Sequence, residues 1–314
     1  MFPELFKIPF LNFSVHSYGL MLVIGLLLAM ELAKFLARRS GLNPDFFSTA
    51  AVLALVSGLI GARIAYIIQF NEEFRTGNFG RDVFNAINIT SGGLVYYGGF
   101  LLAFATLVIY ASWKKIPILR GMDIVAPCLM IGLAMGRVGC FLNGCCWGQA
   151  CELPTPVGVT FPYYSPAYID DYESGRVTPD PRLLDFNAVR NTQRLITPAQ
   201  IAAQKDLRDI ASAQRSVRVV NTQLISTVTA LLIAGITYCV FTLGTSPGRG
   251  FAVMMVLEGL SRTLIERLRV EPAEVGALTL SMFIGLSVAG GGVLLWVIAT
   301  KIASRSSMKK LVPA

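Results

Sequence analysis

Residues 136–149, GRVGCFLNGCCWGQ, place an arginine and three cysteines at the end of a long apolar run. A charged side chain at membrane depth costs at least about 2.5–3.5 kcal/mol on insertion scales, so its presence there indicates a function. The guanidinium of Arg137 stays charged when partly removed from water, and its planar fork binds a phosphate through two parallel hydrogen bonds. Arg137 is therefore a candidate ligand for an anionic lipid headgroup.

A second charged run, LEGLSRTLIERLR, interrupts an apolar segment further along the chain. Glu258, Arg262 and Glu266 recur every four residues and so share one face of a helix, and Arg269 follows within one more turn. We expect the two glutamates to hold the Arg262 side chain in a fixed position. Arg269 is also a candidate for substrate binding, although an internal salt bridge explains that residue as well.

Arg63, in GLIGARIAYII, lies near the end of another apolar segment. We expect the four arginines to converge on a small polar cavity at the outer face of a membrane, where phospholipid headgroups supply phosphate. Internal salt bridges, or snorkelling to the interface, are the simpler alternative. We favour the cavity for Arg137 and Arg262, because the glycine, serine and asparagine beside them are typical of cavities between helices.

Two further stretches are expected at the same face. In SGGLVYYGGF, residues 91–100, Gly98 and Gly99 let a backbone approach a ligand closely, and Tyr97 adds a phenol. Helix packing explains these glycines equally well. The only histidine, His16, begins HSYGLM; a lone histidine is more often a hydrogen-bonded interfacial residue, but Tyr18 beside it favours a place in the site.

Four of the six cysteines, Cys140, Cys145, Cys146 and Cys151, fall within twelve residues. On the outer face such thiols can form disulfides, and the spacing leaves their pairing open. Four thiols can also bind a metal, but adjacent Cys145 and Cys146 do not match the common spacing of zinc ligands. We favour structural thiols or a disulfide, and expect neither a metal nor another cofactor.

The chain that must position these residues is strongly apolar. Hydrophobic residues make up 54% of its 314 residues and charged residues 15%, against about 25% charged in soluble domains. About 20 consecutive apolar residues cross a bilayer as a helix. We therefore predict an all-α polytopic membrane protein with about seven transmembrane helices, over residues 17–37, 46–68, 93–112, 121–142, 222–244, 250–268 and 277–300.

Basic residues indicate the orientation, since lysines and arginines in short loops stay in the cytoplasm. Their distribution predicts an outer N-terminus and a cytoplasmic C-terminus, and it accounts for much of the +8 net charge without a nucleic-acid partner. The chain then divides into four spans over 1–143, an outer (periplasmic) insertion over 144–220, three spans over 221–302 and a basic cytoplasmic tail over 303–314.

Six stretches together resemble the bacterial prolipoprotein diacylglyceryl transferase family, in the order in which that family has them. They are HSYGLM, GARIAYI, SGGLVYYGGF, DIVAPCLMIGLAMGRVGCFLNGCCWG, NTQL and SRTLIERLR. The resemblance implies a seven-helix enzyme of the bacterial inner membrane. Such an enzyme moves the diacylglyceryl group of phosphatidylglycerol onto the lipobox cysteine of a preprolipoprotein, forming a thioether and releasing glycerol phosphate.

Carried over by position, the resemblance implies that Arg137 and Arg262 bind and neutralise the phosphate. The substrate thiol is itself the nucleophile, so such an enzyme needs a base for the thiol proton and a stabiliser for the departing phosphate. Other positions that match the family's motifs are Tyr18, Asn143, Gly148, Gln223, Glu266 and Arg269.

The sequence also departs from the family signature. The signature's asparagine is Cys140 here, its glutamate is Cys145, and the histidine often found in the glycine-rich turn is Tyr97. Tyr97 acts as the base if the arginines lower its proton affinity; otherwise the field of the arginines alone activates the substrate thiol.

Two alternatives to an enzyme stay open. One is an inactive relative that binds phospholipid or lipoprotein precursors, and the other is a small-anion transporter. A transporter predicts repeated or broken helices, which the sequence does not display. Retention of Arg137, Asn143, Arg262 and Glu266 favours the enzyme, because this catalysis is largely electrostatic.

Overall fold

The computed structural model describes residues 4–8, 13–74, 80, 84–86, 93, 95–151, 157–187, 192–202, 204–269 and 278–311. The chain begins with an antiparallel hairpin of β1 (Glu4–Ile8) and β2 (Phe13–His16). Four long helices follow: α1 (Ser17–Arg39), α2 (Pro44–Gln69), α3 (Tyr96–Trp113) and α4 (Ile118–Asn143). A 3₁₀ turn, Asn71–Phe74, extends α2.

The insertion after α4 is a small mixed layer of short elements. In chain order they are β3 (Gly158–Val159), α5 (Pro166–Glu173), a 3₁₀ turn (Pro181–Leu183), β4 (Leu184–Asn187), β5 (Thr192–Leu195), α6 (Pro198–Ala202), α7 (Lys205–Ala213) and β6 (Val219–Val220). Strand β3 pairs with β6, and β4 pairs with β5, both antiparallel. Phe161, Ala167 and Val219 form its inner apolar cluster.

Three long helices complete the described chain: α8 (Thr222–Thr242), α9 (Arg249–Glu266) and α10 (Leu280–Leu311). Each of the seven predicted spans therefore coincides with a helix. The described residues are mainly helical, as predicted, and the short strand pairs are the addition that the sequence analysis did not foresee.

Among the described residues, five helices are long and apolar enough to cross a membrane: Ser17–Arg39, Pro44–Gln69, Ile118–Asn143, Thr222–Thr242 and Leu280–Ser304. Helix α3 is a shorter apolar helix, and charged residues interrupt α9. Large aliphatic side chains such as Leu55, Ile109 and Leu232 point out of the bundle, which fits lipid as the surrounding medium. This agrees with a polytopic membrane protein; seven crossings and their orientation stay predictions.

The helices pack mainly as α1 on α4, α2 on α3, α4 on α8 and α9 on α10. The α2–α3 contact depends on glycines, because a Cβ added to Gly61 would lie 2.4 Å from the Gly98 carbonyl oxygen. Close approach over small residues is a usual way to pair helices in a membrane, where no hydrophobic effect drives association.

One end of the α4–α9 contact is closed by a buried carboxylate. Asp123 on α4 accepts hydrogen bonds from the backbone N–H groups of Gly248 (2.7 Å) and Phe251 (3.0 Å). These donors belong to the N-terminus of α9, where a negative charge stabilises unpaired N–H groups and the helix dipole. The arrangement fixes the depth at which α9 lies against α4.

Candidate functional site

At the opposite end of the same contact, α4 and α9 enclose a narrow polar cleft. Arg137 comes from α4, while Glu258 and Arg262 come from α9, one helical turn apart. The cleft is narrow, with room of about 10 Å³, and its lining is completed by Leu133, Ser226, Ser261 and Ile265. The predicted meeting of the span-four and span-six arginines is thus present in the structure.

The two arginines of the cleft are held differently. Arg262 Nε donates a hydrogen bond of 2.8 Å to Ser281 Oγ on α10. Arg137 is half-buried, and within the described ranges no side chain or carbonyl accepts a hydrogen bond from it. Glu258 lies within electrostatic reach of both guanidinium groups. The cleft therefore holds a net positive charge whose hydrogen-bonding capacity is only partly used inside the protein.

The expected clamp of Glu266 on Arg262 is not the contact that forms. Glu266 is buried and pairs with Arg269, one turn further along, at 3.5 Å between Oε2 and Nη1. Arg269 lies just beyond the end of α9, where its N–H donates to the Glu266 carbonyl (3.0 Å), and this turn brings the two side chains together. The other Glu266 oxygen, Oε1, is buried without a hydrogen-bond partner in the described part of the chain.

Helix α4 ends in a Schellman motif, which turns the cysteine-rich segment back on itself. Gly144 adopts the left-handed conformation (φ 74°); its N–H bonds the Phe141 carbonyl (3.2 Å), and the Cys145 N–H bonds the Cys140 carbonyl (3.1 Å). The second of these bonds is the one that defines the motif, and it brings Cys145 back against Cys140. Cys146 follows with a positive φ of 62°, which is rare for a residue other than glycine.

The turn gathers three thiols. The Sγ atoms of Cys140, Cys145 and Cys146 all lie within 4.8 Å of one another. Hydrogen bonds from the Cys140 and Cys145 thiols lower the pKa of Cys146, and the charges of Arg269 and Arg137 lower it further against the opposing effect of burial. All six cysteines belong to the described residues, and each is a free thiol. The structure therefore has the structural-thiol alternative and no disulfide among these six residues.

Two residues at the start of α8 hold this turn in place through hydrogen bonds to its backbone. Gln223 is buried, and its Nε2 donates to the Cys145 carbonyl (2.8 Å), while Thr222 Oγ1 donates to the Cys146 carbonyl (2.7 Å). Gln223 thus acts here on the backbone of the turn. Thr222 was missed by the sequence analysis, and only its position beside Gln223 hinted at a role.

Gly148, another predicted binding residue, lies where chain segments touch. A Cβ at this position would lie 2.7 Å from the Leu268 carbonyl oxygen and 2.8 Å from Thr222 Cγ2. Its N–H donates to the Val220 carbonyl at 2.9 Å. The glycine allows the turn to pass between the start of α8 and the end of α9.

A second cavity, of about 330 Å³, opens between this turn and the insertion. The insertion supplies the far wall, where the buried Asp171 is bonded to Arg176 (2.9 Å) and to the Val217 N–H (2.8 Å). The lining residues are Cys146, Trp147, Gly148, Ala150, Asp170, Ser174, Arg176, Val219 and Arg269.

Tyr18 reaches the same region from α1. Its ring packs beside Gly139 of α4, at 3.0 Å from where a Cβ there would lie. The phenol is within electrostatic reach of the three clustered thiols and of Arg137. The Asn143 side chain also lies beside the Cys145 thiol and favours its ionised form. His16 caps the start of α1 through its backbone position and has an exposed side chain.

Arg63 does not line either cavity. It is buried and donates to three backbone carbonyls, those of Asn85 (2.5 Å), Ala86 (2.9 Å) and Gly93 (2.9 Å). Its guanidinium also lies over the rings of Tyr66 and Phe74, at 5.4 and 5.6 Å. The expected convergence of four arginines is wrong for Arg63, because the chain after α2 folds back and offers it carbonyl acceptors first.

The glycine-rich turn is likewise separate from the two cavities. A Cβ on Gly98 would lie 2.5 Å from the Gly61 carbonyl oxygen, and one on Gly99 would lie 2.8 Å from that of Gly58. The structure therefore places both glycines in the α2–α3 packing contact. Tyr97, next to them, is about half exposed and is absent from the lining of both cavities.

Comparison with known proteins places these features in a wider group. A family model described as prolipoprotein diacylglyceryl transferase matches residues 3–298. A phosphatidylglycerol–prolipoprotein diacylglyceryl transferase of Rhodopirellula baltica is 36% identical over 164 residues, 52% of this chain and 33% of the relative. One of Clostridium tetani is 24% identical over 288 residues, 91% of this chain and 93% of the relative. One of a Nostoc species is 29% identical over 171 residues, 51% of this chain and 58% of the relative. The matched part thus spans a third of the first relative's length but nearly all of the second's.

Proposed function

This chain belongs to the prolipoprotein diacylglyceryl transferase family, and we propose that it is an active enzyme of that family. The names of its relatives describe a diacylglyceryl transfer that involves phosphatidylglycerol and a prolipoprotein. In our proposal the group moves from phosphatidylglycerol to the thiol of the lipobox cysteine. The observation that carries the proposal is the cleft between α4 and α9, where Arg137 and Arg262 face a common polar space beside the cysteine-rich turn.

The cleft suits the departing phosphate. When the C–O bond to the phosphate breaks, negative charge grows on the phosphate oxygens, and preorganised cationic donors stabilise that charge. Arg137 retains all of its donors for this purpose within the described chain, and Arg262 keeps its terminal nitrogens because only Nε is bound to Ser281. The nearby carboxylate of Glu258 partly offsets the two positive charges, and this allows the two arginines to lie close together.

The substrate thiol is the nucleophile, and no enzyme side chain needs to form a covalent intermediate. The larger cavity beside Cys146, Trp147 and Arg269 gives a peptide access to the same turn. In this proposal the phosphate of the lipid headgroup binds at the opening of the cleft, while the lipobox cysteine of the prolipoprotein arrives from the larger cavity. The sulfur and the glyceryl carbon then meet near Arg137.

The proposal includes the setting of the enzyme. Residues 1–143 and 221–302 form seven crossings of the bacterial inner membrane, with residues 144–220 on the periplasmic side and the basic tail, 303–314, in the cytoplasm. In this orientation the cysteine-rich turn and both cavities face the periplasm, where prolipoproteins emerge. Phosphatidylglycerol is then available from the outer leaflet.

The test uses the full chain in detergent micelles with phosphatidylglycerol and a peptide that carries a lipobox cysteine. We expect the peptide to gain the mass of a diacylglyceryl group while glycerol phosphate is released in equal amount. A peptide with serine in place of the cysteine is the matched control and should stay unmodified. A folded native chain that binds phosphatidylglycerol without modifying the peptide would instead identify an inactive relative that binds lipid.

A further inference from the structure

The turn after α4 assembles three thiols that the reaction described above does not use. The Sγ atoms of Cys140, Cys145 and Cys146 all lie within 4.8 Å of one another. A tetrahedral zinc ion with Zn–S bonds of about 2.3 Å holds its sulfur ligands roughly 3.8 Å apart. The thiols are thus within about 1 Å of ligand spacing, a shift that rotation about the Cα–Cβ bonds provides.

The set of donors is chemically selective. Thiolates favour zinc, cuprous copper and iron–sulfur clusters over hard cations. Three protein ligands around zinc leave the fourth tetrahedral position open, which is the arrangement of catalytic rather than structural zinc sites. Zinc has no redox chemistry of its own, and that suits a group transfer in which no electrons are exchanged.

The surroundings favour an anionic complex at this position. A divalent cation with three thiolates is a monoanion, and Arg137 and Arg269 lie within electrostatic reach of Cys146. The Asn143 side chain lies beside the Cys145 thiol, where outer partners of metal ligands are found.

The backbone of the turn is also held in place, and one side of it is open. Gln223 and Thr222 fix the carbonyls of the adjacent cysteines, so the ligands have a rigid support. Cys146 borders the cavity of about 330 Å³. A peptide thiol can therefore approach the open ligand position from that side.

We propose that Cys140, Cys145 and Cys146 bind one zinc ion, whose open fourth position takes the thiol of the substrate cysteine. The inference rests on the proposed transferase function and assigns the activation of the thiol, since neither His16 nor Tyr97 lines either of the two cavities. Two of the three ligands occupy the positions at which the sequence departs from the family signature.

A thiol that coordinates zinc gives up its proton, and the proton passes to water. The zinc-bound sulfur forms a bond to the glyceryl carbon as the C–O bond to phosphate breaks, and the leaving glycerol phosphate keeps that electron pair. The leaving phosphate takes up a proton from water, and the thioether product, a weaker ligand than a thiolate, leaves the metal.

Metal binding is tested first, without lipid. The full chain, purified in detergent with a phosphine reductant and stripped with a chelator, is titrated with zinc and separated from free metal. We expect an equimolar amount of bound zinc, and a charge-transfer absorption of thiolate character when cobalt replaces zinc. Cys145→Ser and Cys146→Ser should lower bound zinc by at least about tenfold, whereas Cys239→Ser, an exposed cysteine near the other end of α8, should not.

The open ligand position is tested with the cobalt form and the lipobox peptide, again without lipid so that no turnover occurs. The cysteine peptide should change the cobalt spectrum, and the same peptide with serine should leave it unchanged. This measurement does not depend on transferase activity. A spectrum indifferent to both peptides would refute the coordination of the substrate thiol.

The remaining outcomes separate this inference from the proposed function. Absence of bound zinc, or a disulfide among the three cysteines in the native chain, would overturn the zinc site. A metal-free chain that transfers the diacylglyceryl group at the native rate would overturn it too, while the proposed function stood. A chain that binds zinc and the cysteine peptide yet modifies no peptide would uphold the site and refute the transferase.

Discussion

Two arginines at predicted membrane depth, Arg63 on α2 and Arg137 on α4, have opposite environments. Arg63 is buried, and three backbone carbonyls and two aromatic rings surround its guanidinium. Arg137 lines a cleft and gives no hydrogen bond to any described residue. The same side chain thus stabilises the fold in one place and leaves a charge ready for a ligand in the other.

The difference shows that a charge inside an apolar segment identifies a constrained position but not its purpose. The cost of placing a charge in the membrane must be offset in both cases. Carbonyls of the chain itself offset it at Arg63. At Arg137, a neighbouring acid, Glu258, offsets it in part, and we expect a bound phosphate to complete the compensation.

The largest expected effect is on Arg137. Arg137→Ala should lower the transfer rate by about two to three orders of magnitude, because it removes a preorganised donor from the developing phosphate charge. Thermal unfolding in detergent should change little, since the side chain donates to no described residue. Arg137→Lys keeps the charge but not the planar fork. Its transfer rate should lie between those of the native chain and Arg137→Ala. A full transfer rate in Arg137→Ala would erase the contrast with Arg63.

Arg63→Ala should act on stability instead. Three carbonyls lose charged donors, and since each such hydrogen bond contributes about 1.5–3 kcal/mol, we expect the free energy of unfolding to fall by about 3 kcal/mol or more. Arg63→Lys should recover only part of the lost stability, because one ammonium cannot reach three carbonyls as the guanidinium does. Unfolding is followed by helix signal in detergent. Native stability combined with lost lipid binding would instead move Arg63 into the substrate site.

Gln223→Leu should give a smaller and mixed effect. It frees the Cys145 carbonyl, so the thiol turn loosens at a cost of about 1 kcal/mol in stability. We expect the transfer rate to drop by about tenfold, less than the roughly 100-fold that a 1 Å misplacement can cause. Thr229→Val, on the same helix, is the matched control, because its hydroxyl bonds only the Ile225 carbonyl within α8. Equal rates for both variants would show that the turn needs no support from α8.

Tyr97→Phe should have the smallest effect. The residue is half exposed and lies outside the lining of both cavities, so we expect a transfer rate within about twofold of the native value, as for an ordinary surface change. The rate is measured across a range of pH. A loss of more than tenfold, with an altered pH profile, would identify Tyr97 as the base and argue against thiol activation at the cysteine turn.

Much of the helical fold was accessible from hydropathy, because long apolar runs have no alternative to helix in a membrane. All seven predicted spans coincide with helices. Among the described residues, five of these helices are long and apolar enough to cross a membrane. The strands and short helices of the insertion were not foreseen. Segments of two to nine residues carry little periodic signal, and their pairing depends on contacts such as β3 with β6.

The candidate site was predicted in part. Arg137 and Arg262 were expected to meet, and they do; Arg63 was expected with them and is elsewhere. Gly98 and Gly99 carried no signal that separates ligand approach from helix packing, since both need the same absence of a side chain. Thr222 could not be recognised, because its role depends on a carbonyl that only the turn after α4 brings to it.

By itself the sequence determined the apolar spans, the charges within them and the glycine that ends α4, since hydrophobicity and backbone conformation are local properties. It also carried the motifs of the family. Only the tertiary structure decided which charges share a space, which arginine is already bound by the chain, and that Cys140, Cys145 and Cys146 form one cluster. Those facts depend on distances between segments, and the packing of α4 against α8 and α9 sets them.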